Sequence, residues 1–137
     1  MVTDAHGTPL TVQTTPANVP DGQLAIPLLD SIPPIQGPRG RPRFRPGVYQ
    51  GDHAYGWAEN ISETRSRRVR SALAKPQDHE HGSGLGKTRW VVEGGLSWFN
   101  NYRRLRLCYE RLAEHFQGFH ELAAALICYR KLATALK

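Results

Sequence analysis

The chain has 137 residues, a formal net charge of +6 and two cysteines, enough for one domain with a modest core. Cys108 and Cys128 fall inside helical patterns without any Cys-x-x-Cys or Cys/His spacing, which argues against a disulfide framework or zinc site and for a reducing, cytoplasmic setting. The start MVTDAHG lacks the basic and apolar parts of a signal peptide, and the longest apolar run, Leu122–Tyr129, is too short to span a bilayer, so no membrane partner is expected.

Charge is unevenly spread. Residues 1–36 hold Asp4, Asp21 and Asp30 and no Lys or Arg, whereas residues 37–75 hold nine basic residues against Asp52, Glu59 and Glu63. Such an asymmetry suggests a polyanionic partner for the middle of the chain.

In chain order, MVTDAHGTPLTVQTT predicts strand, tight turn, strand, with Asp4–Gly7 as the turn and a first strand that reads as cut short. Asp21 is a candidate cap for a helix with Leu24, Leu28 and Ile32 on its inward face, and Pro27 threatens to kink it. Residues 33–47, PPIQGPRGRPRFRPG, form a Pro/Gly/Arg-rich loop. If its backbone is extended, Arg39, Arg41, Arg43 and Arg45 share one side, which suits phosphate contact; a solvated linker fits as well. VYQGDHAY predicts a short strand ending at Asp52, either a carboxylate on the ligand-binding edge of an α/β sheet or an ordinary turn aspartate.

A short helix is expected over 57–64, then a basic strand over 65–74 carrying Arg65, Arg67, Arg68 and Arg70. His79, Glu80 and His81 lack the helical spacing of a metal site. GSGLGKT resembles a phosphate-binding loop, but His81 stands where the first glycine must be and no buried strand precedes it. The simpler role of this turn is to launch a helix over 87–112, with Ser83 or Thr88 near its cap. Val91, Gly95, Trp98, Tyr102, Leu105, Tyr109 and Leu112 would form its apolar stripe, opposite Arg89, Glu93, Asn100, Arg104 and Arg111. Glu93 is then either part of a solvated face of ion pairs or a metal-binding carboxylate among phosphate-holding cations. A last amphipathic helix over 113–137 should pack through Phe119, Leu122, Leu126, Tyr129, Ala133 and Leu136.

Asp52 and Glu93 together are hard oxygen donors suited to Mg²⁺ or Mn²⁺, and a pair of such ions can activate a hydroxyl and stabilise the leaving oxygen of a phosphodiester. The blocks DAHGTPLTV, PLLDSIPPIQGPRGRPRFRP, GDHAYG, EHGSGLGKTRWVVE, SWF and YRRLRLCYERL resemble the C-terminal part of the DDE-type transposases of bacterial insertion sequences, most closely the insertion-sequence-five family. The resemblance implies an α/β, partial ribonuclease-H-like fold, a mixed sheet flanked by helices, with the first strand missing and two long C-terminal helices. It implies that Asp52 and Glu93 are the second and third carboxylates of an Asp-Asp-Glu triad binding Mg²⁺ or Mn²⁺, and that Arg89 contacts DNA phosphates. Arg103 and Arg104 join Arg39–Arg45 and Arg65–Arg70 as candidate DNA contacts.

By the same resemblance the first aspartate and a helical DNA-binding part belong upstream of Met1, and Gly94-Gly95 replaces an Arg-Thr pair. Residues 1–137 therefore read as the C-terminal portion of a catalytic domain, inactive alone. It would act in DNA transposition on insertion-sequence ends and target DNA, with a homodimer mate or an upstream-frame product as protein partner. A non-catalytic DNA-binding fragment that modulates an intact transposase, or a decayed remnant, are the alternatives.

Overall fold

A computed structural model describes residues 1–37, 39–74 and 85–136. The chain divides into two compact units, Met1–Pro16 with Thr88–Lys137, and Ala17–Lys87. Among the described residues the class is mixed α/β, with two two-stranded sheets and five α-helices.

The first unit opens with the predicted hairpin, β1 (Val2–Thr3) antiparallel to β2 (Pro9–Thr11). Its turn is built by Asp4, whose Oδ1 accepts the N–H groups of His6 and Thr8 at 2.8 Å each. Gly7 has φ +73°, a left-handed conformation that glycine adopts without penalty. Partial burial pushes the Asp4 carboxyl up, but the N–H groups of Thr8 and His6, the Thr8 hydroxyl and Lys131 outweigh it and hold it below its usual range.

Helix α3 (Leu85–Asn100) lies against this hairpin through Val91, Gly95 and Phe99, spaced by four as a buried helical face requires. The expected helix over 87–112 is two: α3 stops at Asn100, and only a single turn, α4 (Arg103–Arg106), follows. Asn100-Asn101 are poor helix formers whose side chains favour turns, and Tyr102 N–H bonds back to the Phe99 carbonyl at 3.0 Å as the chain reverses. The predicted stripe holds as far as Leu105, whereas Tyr109 and Leu112 are exposed beyond the break.

The long helix α5 (Ala113–Ala135) closes the first unit. Its inward face is Phe116, His120, Ala123 and Ile127, not the predicted one: Leu122, Leu126, Tyr129 and Leu136 are exposed. Its central run, Leu122–Tyr129, is apolar on every face, so periodicity alone carries both phases. Polar side chains select between them. Gln117 accepts from Thr14 N at 2.8 Å and donates to the Val12 carbonyl at 2.8 Å. Lys131 donates to the His6 carbonyl at 2.6 Å and sits 4.6 Å from the Trp98 ring centroid.

The second unit begins with a 3-10 turn over Asp21–Leu24 running into α1 (Ala25–Asp30). Asp21 lies within that turn and Pro20 takes the cap position, contrary to the capping role expected of Asp21. Pro27 does not kink α1, because it falls in the first turn, where an N–H has no intrahelical partner to lose. Strand β3 (Val48–Gly51) pairs in parallel with β4 (Arg70–Leu73), the crossover being α2 (Ala58–Ser66). Ala25, Leu28, Leu29, Ile32, Tyr49, Ile61, Val69 and Leu73 form its core.

The basic strand expected over 65–74 is limited to its second half. Residues 65 and 66 finish α2, and Arg68 at φ +60° ends it. Arg68 N–H bonds to the Arg65 carbonyl at 2.8 Å and Val69 N–H to the Thr64 carbonyl at 3.2 Å, the paired bonds of a Schellman terminus. Val69 then buries at the start of the strand. The Gly-rich turn with Ser83, and His79, Glu80 and His81, lie outside the described residues, as do the last residue of the predicted 113–137 helix and Pro38.

Candidate active-site carboxylates and basic segments

Asp52 follows the last residue of β3, at the C-terminal end of a parallel strand. It is exposed, and its Oδ1 accepts the N–H of Ala54 at 3.0 Å, capping a 3-10 turn over His53–Tyr55. A carboxylate has about four lone-pair sites on two oxygens, so this cap is compatible with cation binding by the same group.

The turn after β3 is fixed from beneath by residues that periodicity does not mark. A Cβ on Gly51 would come within 2.9 Å of the Leu73 side chain and 3.3 Å of Tyr55, so any larger residue just before Asp52 must displace those side chains. Buried Asn60 donates from Nδ2 to the Tyr55 carbonyl at 3.1 Å and the Gly22 carbonyl at 2.8 Å, tying the turn to the 3-10 segment before α1. Burial, then the charges of Asp21 and Asp52, push the Tyr55 hydroxyl above its ordinary value.

Glu93 is on α3 in the other unit, exposed on the helix face opposite Val91, Gly95 and Phe99. Gly95 is buried where a Cβ would meet Met1 Cε at 3.1 Å and Thr3 Cγ2 at 3.3 Å, whereas Gly94 faces open space. The two adjacent glycines therefore differ in kind. Gly95 lets the carboxylate-bearing helix approach β1, and Gly94 has no such packing reason. Arg89 is on α3 one turn before Glu93; its side chain is outside the described residues.

Residues 1–128 match the family model for the transposase DDE domain. The chain belongs to that family. It is also 45% identical over 135 residues to a Burkholderia cepacia protein assigned as the transposase for insertion sequence element IS402. That alignment takes in 98% of this chain and 64% of the relative, so the chain spans less than two thirds of the relative's length. No solved structure matches.

In this DDE-domain chain the basic residues divide by what they touch. Arg67 is held inside its unit: its guanidinium forks onto Asp30, Nε to Oδ1 at 2.8 Å and Nη2 to Oδ2 at 2.9 Å, and also reaches Glu63. Hydrogen bonding to Asp30 and Glu63 keeps its protonated form favoured even more strongly than usual. Arg45 donates to the Arg67 carbonyl at 2.6 Å. Arg104 pairs with Glu110 at 2.9 Å and stacks 4.8 Å over the Phe119 ring. Arg39, Arg41, Arg43, Arg65, Arg68, Arg70 and Arg103 are exposed.

The 33–47 segment is not one extended strand. Ile35 and Arg43 exchange both backbone hydrogen bonds at 2.8 Å, closing a loop that turns at Gly40 with φ +100°. Arg39 and Arg41 therefore lie on either side of a bend, and alternation does not align all four arginines.

Asp52 and Glu93 have the donor chemistry that a hard divalent cation takes. Among the described residues no group of three or more His, Cys, Asp or Glu is positioned to hold a metal. Among them, too, no helix is long and apolar enough to cross a membrane.

Proposed function

We propose that this chain acts in DNA transposition, contributing two carboxylates and a basic DNA-holding surface to an Mg²⁺- or Mn²⁺-dependent transposase. The observation that carries this reading is the family match over residues 1–128. Asp52 at a strand end and Glu93 on an exposed helix face support it, each being an accessible oxygen donor. The finer reading is a partial ribonuclease-H-like fold of the insertion-sequence-five type, with the parallel β3–β4 pair part of its mixed sheet.

The reaction this supports is hydrolysis of a phosphodiester at the element's ends, followed by attack of the freed 3′-hydroxyl on target DNA. A bound divalent cation supplies Lewis acidity there. The chain's own part is to present Asp52 and Glu93 as ligands and to neutralise the DNA backbone with Arg39, Arg41, Arg43, Arg65, Arg68, Arg70, Arg89 and Arg103. Arg45, Arg67 and Arg104 act in this scheme by shaping the surface.

The test is DNA affinity against salt. Binding through phosphates gives a linear fall of log affinity with log salt, and Arg39→Ala or Arg41→Ala should each reduce the slope by about one. Absence of binding, or binding indifferent to salt, contradicts the reading.

A further inference from the structure

We propose that Phe44 is a base-stacking residue, and that the loop closed by Ile35 and Arg43 prefers DNA with unpaired bases over intact duplex. The proposal rests on the DNA reading above and adds a substrate class to it.

Four observations meet here. Phe44 is 66% exposed, while Phe99 is 5% exposed and Phe116 and Phe119 are half-buried. Phe44 stands between Arg43 and Arg45, and no acidic residue occurs between Asp30 and Asp52, which makes the segment uniformly cationic. The segment is also anchored: the Ile35–Arg43 bridge closes it, and Arg45 is bonded to the carbonyl of Arg67, itself forked onto Asp30. A flexible linker would have neither restraint.

An aromatic ring set among arginines matches the chemistry of an unstacked nucleobase attached to a phosphate chain. The arginines hold the backbone, and the ring supplies a face on which any base can stack. Phenylalanine has no hydrogen-bonding group, so the recognition reads the exposure of a base and not its identity. A base within an intact duplex has both faces covered and offers nothing to the ring. The preference therefore falls on frayed, bulged or single-stranded DNA.

The experiment measures affinity of the full chain, by fluorescence anisotropy, for a fully paired labelled duplex and for the same duplex carrying a three-base bulge. Phe44→Ala should weaken binding to the bulged DNA about tenfold, in line with the loss of one stacked base, and leave the paired duplex within twofold. Phe44→Trp should keep the preference. An equal loss on both DNAs, or no loss on either, overturns the stacking role while Arg39→Ala still reports phosphate contact. A wild-type chain that binds neither DNA at any salt removes the DNA reading itself, and this proposal with it. Tighter, Phe44-dependent binding to anionic lipid vesicles than to bulged DNA would assign the loop to a membrane surface and also overturn it.

Discussion

Arg67 and Asp30 form a two-pronged ion pair, with nitrogen–oxygen distances of 2.8 and 2.9 Å, joining the end of α2 to the end of α1. The hydrogen bonds from Arg67 lower the Asp30 carboxyl below its ordinary value of 3.8; burial opposes this, and the charges of Arg67 and Arg45 add smaller contributions to the lowering. A folded-state pKa below the unfolded one gives stability that is present above the unfolded value and lost as pH falls through the folded value. Urea midpoints should therefore decline on acidification below about pH 5, and Asp30→Asn should flatten part of that decline. An unchanged pH slope in the variant would show that the pair does not couple to folding. Both groups are partly exposed, so the effect is modest.

Arg68 should be improvable. It holds φ +60° at the position after the α2 cap, where glycine is the favoured residue. Replacing it by Gly relieves a left-handed strain of about 1 kcal/mol, seen as a higher urea midpoint with an unchanged m-value. Any loss of DNA affinity in the same variant reports the arginine's separate contribution to phosphate binding.

Adjacent glycines on α3 should respond oppositely to added side chains. Gly94→Ala fills open space and gains about 1 kcal/mol of helix propensity. Gly95→Thr pushes a branched side chain toward Met1 and Thr3, already 3.1 and 3.3 Å from a single Cβ, and should destabilise the first unit. A thermal melt ranking Gly95→Thr at or above Gly94→Ala would contradict this packing of α3 on β1.

Asn60 should matter more than its single side chain suggests. Asn60→Ala leaves the carbonyls of Gly22 and Tyr55 without their donor and should cost about 1–3 kcal/mol. Hydrogen exchange at Ala54 and Tyr55, in the turn that Asp52 caps, should accelerate beyond that of β1. Uniform acceleration would show only global destabilisation.

Much of this was legible in the residues. The Asp4–Gly7 turn, the strand before Asp52 and the exposure of Glu93 follow from turn chemistry and helical period. The rest depended on competition that period alone does not resolve. In α5 two apolar phases coexist, and Gln117 and Lys131 decide between them through bonds to a hairpin more than a hundred residues earlier. The end of α3 at Asn100 breaks a stripe that continues in the sequence. The run Arg65–Arg70 divides at Arg68 because a helix terminus, with no glycine to mark it, falls inside a strand-like pattern. Asn60 and Gly51 carry no pattern at all, since their role is a contact made by tertiary structure.

The most direct test of the central claim is Mn²⁺ binding to the full chain, followed by electron paramagnetic resonance. Wild-type protein should remove free Mn²⁺ signal in competition with Mg²⁺. Asp52→Asn and Glu93→Gln should each weaken that binding while leaving the far-ultraviolet circular dichroism unchanged. If both variants bind Mn²⁺ as the wild type does, neither carboxylate is a ligand, and the assignment of Asp52 and Glu93 to a transposase metal centre is wrong.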